Sequence, residues 1–234
     1  MTEAAAAHPP RTGLALEPQP LTTPQHALEG LRRGIVAGEL RPGARVPQED
    51  VAAQLGVSVA SVREALTVLE QEGQITYRPR RGYFVTELRV ADLEEIYDLR
   101  QVLEARAVRL AVPLLDGRGE QRMRDAAIAC VEAASEANIS AELEANRRFH
   151  FSILEIPDQP HSTRLIRLLW ESTEPYRALY YNSPEERQRS LQAHDRILTA
   201  VADRDVDRLI AELDDHRGRA LDVLRGVLGD SAES

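Results

Sequence analysis

From Val90 onward the apolar residues recur at the three- and four-residue spacing of α-helices, and no segment alternates as a half-buried strand does. This pattern restricts most of the chain to helix-on-helix packing. It predicts an all-α antiparallel bundle of six to seven helices over residues 89–228. The individual helices are predicted over 91–114, 119–138, 141–156, 162–182, 184–202 and 206–228.

Residues 23–88 follow a different order of elements. Thr23 and Pro24 are a typical helix start, and Gly38 is a typical helix end. The pattern then predicts a short helix over about 47–55, a tight turn, a third helix over about 58–72 and a hairpin over 75–86 with a basic tip. The chain is therefore predicted to be mainly α, with an N-terminal winged helix-turn-helix of three helices and a β-hairpin wing. Residues 1–22 and 229–234 are predicted to form a disordered arm and tail.

Composition limits the function classes. The net charge is −9, but the acidic excess lies in residues 89–234, whereas residues 25–88 are neutral, so DNA binding is permitted. All 29 basic residues are Arg, so arginine abundance alone is not a nucleic-acid signal. Cys130 is the only cysteine, which excludes an internal disulfide and a Cys-rich zinc ribbon. The sequence has no secretory signal and no apolar run near the roughly 20 residues that cross a bilayer, so we expect a cytoplasmic protein without membrane contact.

This order of elements is the one that presents a recognition helix to the major groove of DNA: a helix, a short helix, a tight turn and a further helix. Polar residues of the predicted third helix lie opposite its apolar face, and the hairpin tip carries three arginines in four residues. The candidate DNA contacts are Ser58, Ser61, Arg63 and Thr67 on the helix, and Arg78, Arg80 and Arg81 in the wing. The alternatives are a three-helix packing unit that does not bind DNA and, for the arginines, a solvated turn.

Polar residues interrupt the apolar faces of four C-terminal helices: Arg100, Asn146 with His150 at i and i+4, His194, and His216. A buried polar group left unpaired costs about 1–3 kcal/mol, so each histidine needs a partner. Convergence on one metal ion or anion would satisfy all three together, and three imidazoles with one side-chain oxygen suit Zn²⁺ or Ni²⁺. The alternatives are three separately hydrogen-bonded core histidines and, for Arg100, a salt bridge to Glu104 or Glu144.

Five short runs follow one another in the N-terminal part: Pro42 to Val46, Ala52 to Ser58, Val62 to Leu66, Leu69 to Gly73 and Arg81 to Val85. In this combination the chain resembles the GntR family of winged-helix regulators. The run Leu99 to Glu104 is similar to the opening of the FCD effector domain, which marks the FadR subfamily. The match covers about residues 25–228. It adds Arg45, Ala60 and Gly82 to the candidate DNA contacts.

The resemblance implies a homodimer that binds a palindromic operator in double-stranded DNA and a small carboxylate effector in the helical domain. The family's metal ligands correspond to Asn146, His150, His194 and His216, and its effector-carboxylate residue corresponds to Arg100. Effector binding is thus predicted for the same set of residues, Arg100, Asn146, His150, His194 and His216. Zn or Ni is the expected cofactor, bound more weakly because the neutral amide of Asn146 replaces the usual aspartate. Val59 replaces a family arginine on the recognition helix, where an apolar side chain can pack on a thymine methyl.

Two other function classes are open from the sequence. A helical metal-dependent enzyme acting on a small organic acid is the first, but the chain has no Glu-x-x-His pair, His-Glu-x-x-His, P-loop, Gly-x-Ser-x-Gly or Gly-x-Gly-x-x-Gly motif. An interaction module that does not bind DNA is the second, and only Val59 favours it. The sequence therefore predicts a transcription regulator and not an enzyme, with repression controlled by a small carboxylate.

Overall fold

The computed structural model describes residues 23–181 and 183–232, so the predicted N-terminal arm lies outside the described residues. Helices predominate, and the two strands form one antiparallel sheet, which confirms the mainly-α class. The elements are α1 Thr23–Val36, α2 Gln48–Leu55, α3 Val59–Gln71, β1 Ile75–Arg78, β2 Gly82–Val85, α4 Val90–Ala111 with a 3₁₀ turn Val112–Leu114, α5 Gly117–Ser135, α6 Ile139–Leu154, α7 Pro160–Ser172, α8 Glu174–Tyr181, α9 Pro184–Ala202 and α10 Val206–Ala232.

Helices α1, α2 and α3 pack around one apolar core, in which Leu31, Leu66 and Leu69 are fully buried. α2 ends at Gly56, whose φ of +65° lies in the left-handed region that glycine adopts at little steric cost. The chain turns sharply at this point, and the axes of α2 and α3 differ in direction by 111°. That angle is typical of a helix-turn-helix.

The hairpin of β1 and β2 is attached to the same core. Ile75 pairs with Val85 across the two strands, and both side chains are buried among the helices. The N–H of Val85 also donates to the carbonyl of Ala44 at 2.9 Å, so the segment between α1 and α2 runs along the hairpin. The base of the wing is therefore fixed on the three helices, while the tip over 79–81 is exposed.

Within the described ranges, seven helices from α4 to α10 form the C-terminal bundle. Phe149, Ile166 and Trp170 lie fully buried in its main core. A smaller apolar cluster brings Tyr176 of α8 against α4 and α10 and includes Leu88 of the segment that joins the two parts of the chain. The helical part therefore packs directly on the connection to the winged helix.

The helix predicted over 162–182 is wrong as a single element, because the chain breaks it into α7 and α8 at Thr173. The Thr173 side chain is buried and its hydroxyl donates to the carbonyl of Trp170 at 3.1 Å, within its own helix. Pro175 follows in the first turn of α8 and has no N–H to continue the α7 hydrogen-bond ladder. The break therefore has a local cause in the sequence.

The C-terminal end also differs from the prediction. Helix α10 continues to Ala232, so the prediction of a disordered tail is wrong for residues 229–232. A glycine within a helix costs about 1 kcal/mol without necessarily ending it, and α10 also continues through Gly218 and Gly226. Over residues 23–181 and 183–232, no single helix has the length and apolar character needed to span a bilayer, and only the sharply bent pair of α2 and α3 meets these criteria when taken together.

Candidate DNA-binding surface and ligand cavity

The first turn of α3 uses two candidate DNA contacts to cap the helix. The Oγ of Ser58 accepts the backbone N–H of Ser61 at 3.1 Å, and the two hydroxyl oxygens are 2.9 Å apart. Ser58 is exposed, whereas Ser61 is 7% exposed. The structure therefore gives the buried Ser61 a role in the helix start, and its contact with DNA stays a prediction.

The exposed face of α3 carries Ala60, Arg63 and Thr67. The Nε of Arg63 donates to Oε1 of Gln48 at 2.9 Å, so the first residue of α2 orients this guanidinium. The hydroxyl of Thr67 donates to the carbonyl of Arg63 at 3.0 Å. Val59 is partly buried and packs against the core of the winged helix, so part of its side chain serves the fold.

The wing tip holds its arginines by aromatic and turn contacts. The Cζ atoms of Arg78 and Arg81 lie 4.5 and 5.6 Å from the centroid of the Phe84 ring. The N–H of Arg81 donates to the carbonyl of Arg78 at 3.0 Å, which closes a turn through Pro79 and Arg80. Arg80 has φ +63°, a left-handed conformation that costs a non-glycine residue about 1–2 kcal/mol. The tip therefore keeps a charged residue at a position that favours glycine.

Arg45 and Gly82 lie at the base of the same wing. Arg45 is exposed and forms an isolated bridge with Phe84 of β2. Gly82 has φ +93°, and a Cβ at this position would stand 3.7 Å from the Nε of Arg45. Arg45 thus lies beside the strand whose Phe84 ring is contacted by Arg78 and Arg81.

In the bundle, α6, α9 and α10 bring His150, His194 and His216 together. One nitrogen from each imidazole lies within 4.8 Å of the other two. The rings of His150 and His216 are stacked with centroids 5.2 Å apart, and His194 meets both at a steep angle. The Oδ1 of Asn146 is 3.0 Å from Nε2 of His194. The four side chains that the sequence assigned to one site therefore do converge.

The three imidazoles are neutral at pH 7. Burial lowers the pKa of His216 to about 3, with Arg177 and Arg100 adding to the shift. The pKa of His150 is held far below its usual value, mainly by burial and then by the neighbouring histidines. The pKa of His194 is lowered in the same way by burial and by His216. A neutral imidazole offers one lone pair to a cation. The Nδ1 of His194 is buried without a hydrogen-bond partner among the described residues, so this donor set fits Zn²⁺ or Ni²⁺.

Arg100 lies beside this cluster in a buried network centred on Glu104. The Oε1 of Glu104 accepts from Nε of Arg100 at 2.9 Å and from Nε1 of Trp170 at 2.8 Å, and Oε2 accepts from Nη1 of Arg217 at 2.5 Å. Burial alone would raise the pKa of Glu104, but the two guanidiniums keep it below its usual value, so the carboxylate is ionised. Of the alternatives for Arg100, the salt bridge to Glu104 is thus present, and it uses only one of the three guanidinium nitrogens.

A cavity of about 30 Å³ separates this network from the histidines. Among its lining side chains are Arg100, Asn146, His150, Arg177 and His216. One water needs about 10–15 Å³ on this measure, so the space suits one or two small groups in this conformation. The cavity therefore joins the predicted metal ligands to the predicted carboxylate-binding arginine.

Sequence reasoning missed Trp170, Arg177 and Arg217 and considered Glu104 only as a salt-bridge partner. Arg217 had a usable signal, since it follows His216 on the same helix. Arg177 had no such signal. The sequence predicted one helix over 162–182, and the break at Thr173 changes the face on which the later residues lie.

Tyr176 connects the cavity wall to the segment between the two parts of the chain. Its side chain is 1% exposed, and its hydroxyl oxygen accepts the N–H of Leu88 at 2.6 Å and lies 3.3 Å from the carbonyl oxygen of Thr86. The next residue is Arg177, which lines the cavity. Helix α8 therefore touches both the cavity and the backbone that leads to the wing.

The sequence profile of the FCD domain matches residues 95–219, and the profile of the bacterial regulatory proteins of the gntR family matches residues 23–85. Similar curated proteins include the Nta operon transcriptional regulator of Aminobacter aminovorans, 29% identical over 82% of this chain and 92% of that protein, and the HTH-type transcriptional regulator McbR of Escherichia coli, 28% identical over 75% and 80%. The solved structure of E. coli McbR/YncC has a TM-score of 0.76 at 24% identity and covers 88% of this chain and 98% of that one. A putative GntR transcriptional regulator from Rhodococcus sp. RHA1 has a TM-score of 0.73 at 23% identity, with 87% and 97% covered.

Proposed function

The chain belongs to the GntR family of bacterial regulatory proteins and carries an FCD domain, and from this premise we propose that a small carboxylate bound in the helical domain controls how tightly the winged helix binds DNA. As a member of this family, the protein is a DNA-binding transcription regulator and not an enzyme. The observation that carries the proposal is one cavity lined by two buried arginines, Arg100 and Arg177, and by His150 and His216, with His194 next to both histidines.

In the proposed DNA complex, α3 enters the major groove and the wing contacts the adjacent backbone. Arg63 is exposed in the first half of α3, and Arg80 and Arg81 are exposed at the wing tip. Two copies of the chain, related by a two-fold axis, bind the two halves of a palindromic operator. Repression is the proposed output, with the carboxylate changing the relative placement of the two winged helices.

In the proposed ligand complex, His150, His194 and His216 hold a divalent cation, Zn²⁺ or Ni²⁺, with Asn146 as an oxygen ligand. The cation supplies electrostatic attraction for an oxygen of the acid when it is bound. Arg100 binds the carboxylate through its terminal nitrogens, since a guanidinium can donate two parallel hydrogen bonds to a carboxylate. The imidazoles are neutral and Glu104 balances only part of the positive charge of the three arginines that line the cavity, which favours an anionic ligand.

The DNA half of the proposal is tested by the affinity of the full chain for DNA from upstream of its own gene. Arg63→Ala should weaken binding at least about fivefold, since one base-contacting arginine contributes about 1–3 kcal/mol. Changing Arg80 and Arg81 together to Ala should weaken binding and reduce the salt dependence by about two released counterions. Arg124→Ala is the matched control, because it removes an exposed positive charge from α5. Unchanged affinity in the first two variants would contradict the proposed DNA-binding mode.

The ligand half is tested by thermal shift with sugar acids, short hydroxy acids and dicarboxylates. We expect the stabilising compounds to carry a carboxylate. His150→Ala and His194→Ala should each reduce both Zn²⁺ uptake and the shift caused by the acid. A full response to the acid in metal-stripped protein would show that the metal part of the proposal is wrong.

A further inference from the structure

Among the described residues, the charged side chains that line the cavity are three arginines and one glutamate: Arg100, Arg177, Arg217 and Glu104. Both oxygens of Glu104 are already used by Arg100, Arg217 and Trp170. Arg217 has a second acidic partner in Asp214. The cavity wall is therefore richer in cationic donors than in acidic acceptors, and the excess lies with Arg100 and Arg177.

Arg177 is the least compensated of these charges. It is 6% exposed, its Cζ lies 4.4 Å from the centroid of Trp170, and it forms an ion pair with Glu174, one turn earlier, at 3.5 Å. A guanidinium has five N–H donors, and a buried charge is stable only when it is paired. Most of these donors have no acceptor within the described part of the chain, and the side chain borders the cavity. The structure therefore leaves room for an anion at Arg177.

Arg100 and Arg177 reach the cavity from different helices. The Cζ of Arg100 lies 4.1 Å from the centroid of Trp170, so the two guanidiniums share one indole between them, and their like charges repel across the site. Two guanidiniums on α4 and α8 can each bind one carboxylate through a pair of hydrogen bonds. A ligand with two acidic groups satisfies both, whereas a monocarboxylate leaves one buried guanidinium unpaired.

We infer that the effector is a short dianion, with one acidic group at Arg100 and the second at Arg177, and that Arg177 is the residue that selects dicarboxylates over monocarboxylates. This inference rests on the proposed function, because it assigns the ligand class of the same cavity. The small volume, about 30 Å³, limits the ligand to a short carbon chain. Helix α8 then carries part of the ligand-binding site as well as the contact to the connecting segment.

The test measures the affinity of the full chain for pairs of acids of equal carbon number at pH 7.5. Succinate is compared with butyrate and malonate with propionate, by calorimetry and thermal shift. The dicarboxylate of at least one pair should bind ten times more tightly or better. Arg177→Gln should remove this preference by weakening the dicarboxylate while changing the monocarboxylate less than threefold. Arg208→Gln, an exposed arginine of α10, is the matched control and should keep the preference.

Each outcome is decisive. Equal affinities for the two acids of each pair would mean that both arginines hold a single carboxylate. A preference that persists in Arg177→Gln would mean that Arg177 does not contact the ligand. Either result overturns the inference and leaves the proposed function standing. If no acid of either class binds, the proposed function itself fails. The comparison in the unaltered protein decides the question even if the Arg177 variant does not fold.

Discussion

In the proposed metal site, Asn146 is the residue that sets how strongly the histidine cluster holds a cation. Its Oδ1 lies 3.0 Å from Nε2 of His194, so the two atoms are close enough to share one ion. The amide is neutral, and the three imidazoles are neutral as well, which leaves the full charge of a bound cation to be balanced by another ligand. A carboxylate at this position would supply one negative charge directly.

Asn146→Asp should therefore raise the affinity for Zn²⁺ at least tenfold, measured by competition with a chromophoric chelator at pH 7.5. The physical reason is the added attraction between an ionised ligand and a divalent cation in a buried site. Asn138→Asp is the matched control, because it adds the same charge at the N-cap of the same helix and away from the histidines. Equal affinity in both variants would mean that Asn146 does not contact the metal.

Glu142, one turn before Asn146, is a second buried charge without a good partner. It is 1% exposed, the nearest Arg187 nitrogen is 3.8 Å away, and neither carboxylate oxygen has a hydrogen bond among the described residues. Burial raises the pKa of Glu142 to about 7, although Arg187 opposes the shift. The native state thus binds this proton more tightly than the unfolded state, so the group favours folding at low pH and loses that contribution as the pH rises to about 7.

Glu142→Gln stays neutral at every pH, so it should differ little from the unaltered protein at pH 5 and be more stable by about 2–3 kcal/mol at pH 8. Urea unfolding at the two pH values measures this difference. Glu144→Gln, an exposed neighbour on the same helix, should show no such change between the two pH values. If Glu142→Gln has the same pH dependence as the unaltered chain, the buried carboxyl does not titrate in this range.

At the scale of elements, α8 is the connection between ligand and DNA in this account. It carries Arg177 at the cavity and Tyr176 on the backbone of Thr86 and Leu88. This segment follows β2 of the wing directly. A ligand that moves Arg177 therefore acts on the helix that holds the connecting segment in place.

Tyr176→Phe should fold and bind both DNA and the acid, but the acid should no longer change the DNA affinity by more than about twofold. The variant leaves the N–H of Leu88 without its acceptor and costs about 1–3 kcal/mol of stability, which a thermal melt detects. Ser190→Ala removes a buried hydroxyl of α9 that lies 3.3 Å from that of Tyr181 and is not part of the cavity wall, and this control should keep the coupling. Full coupling in Tyr176→Phe would exclude α8 as the connection.

The order and type of the elements could be predicted from sequence because each has a local cause. Gly56 allows the turn between α2 and α3, and the hairpin follows from alternation around a basic tip. The break between α7 and α8 was missed because the apolar spacing runs through it, whereas the cause is one buried threonine followed by a proline. Periodicity reports which face is buried and gives little information about where a helix is interrupted.

At the scale of the whole molecule, the sequence predicted the convergence of the histidines but not the full charge balance of their cavity. Three imidazoles on apolar faces of different helices must meet partners inside one bundle, which is why Asn146, His150, His194 and His216 could be assigned together. Arg177 and Arg217 reach the cavity only through tertiary packing. Their distances to Trp170 and Glu104 depend on how α8 and α10 dock, and local spacing does not encode that geometry.

The central claim is that the occupied cavity changes DNA binding, and one titration tests it most directly. Fluorescence anisotropy gives the affinity of the full chain for its upstream DNA, with and without saturating amounts of the acid that stabilises it most, for the unaltered protein and for His194→Ala. We predict that the acid changes the DNA affinity of the unaltered protein at least tenfold, a coupling of about 1.4 kcal/mol, and leaves that of His194→Ala unchanged. Equal DNA affinity with and without the acid in the unaltered protein, or a full response in His194→Ala, would contradict it.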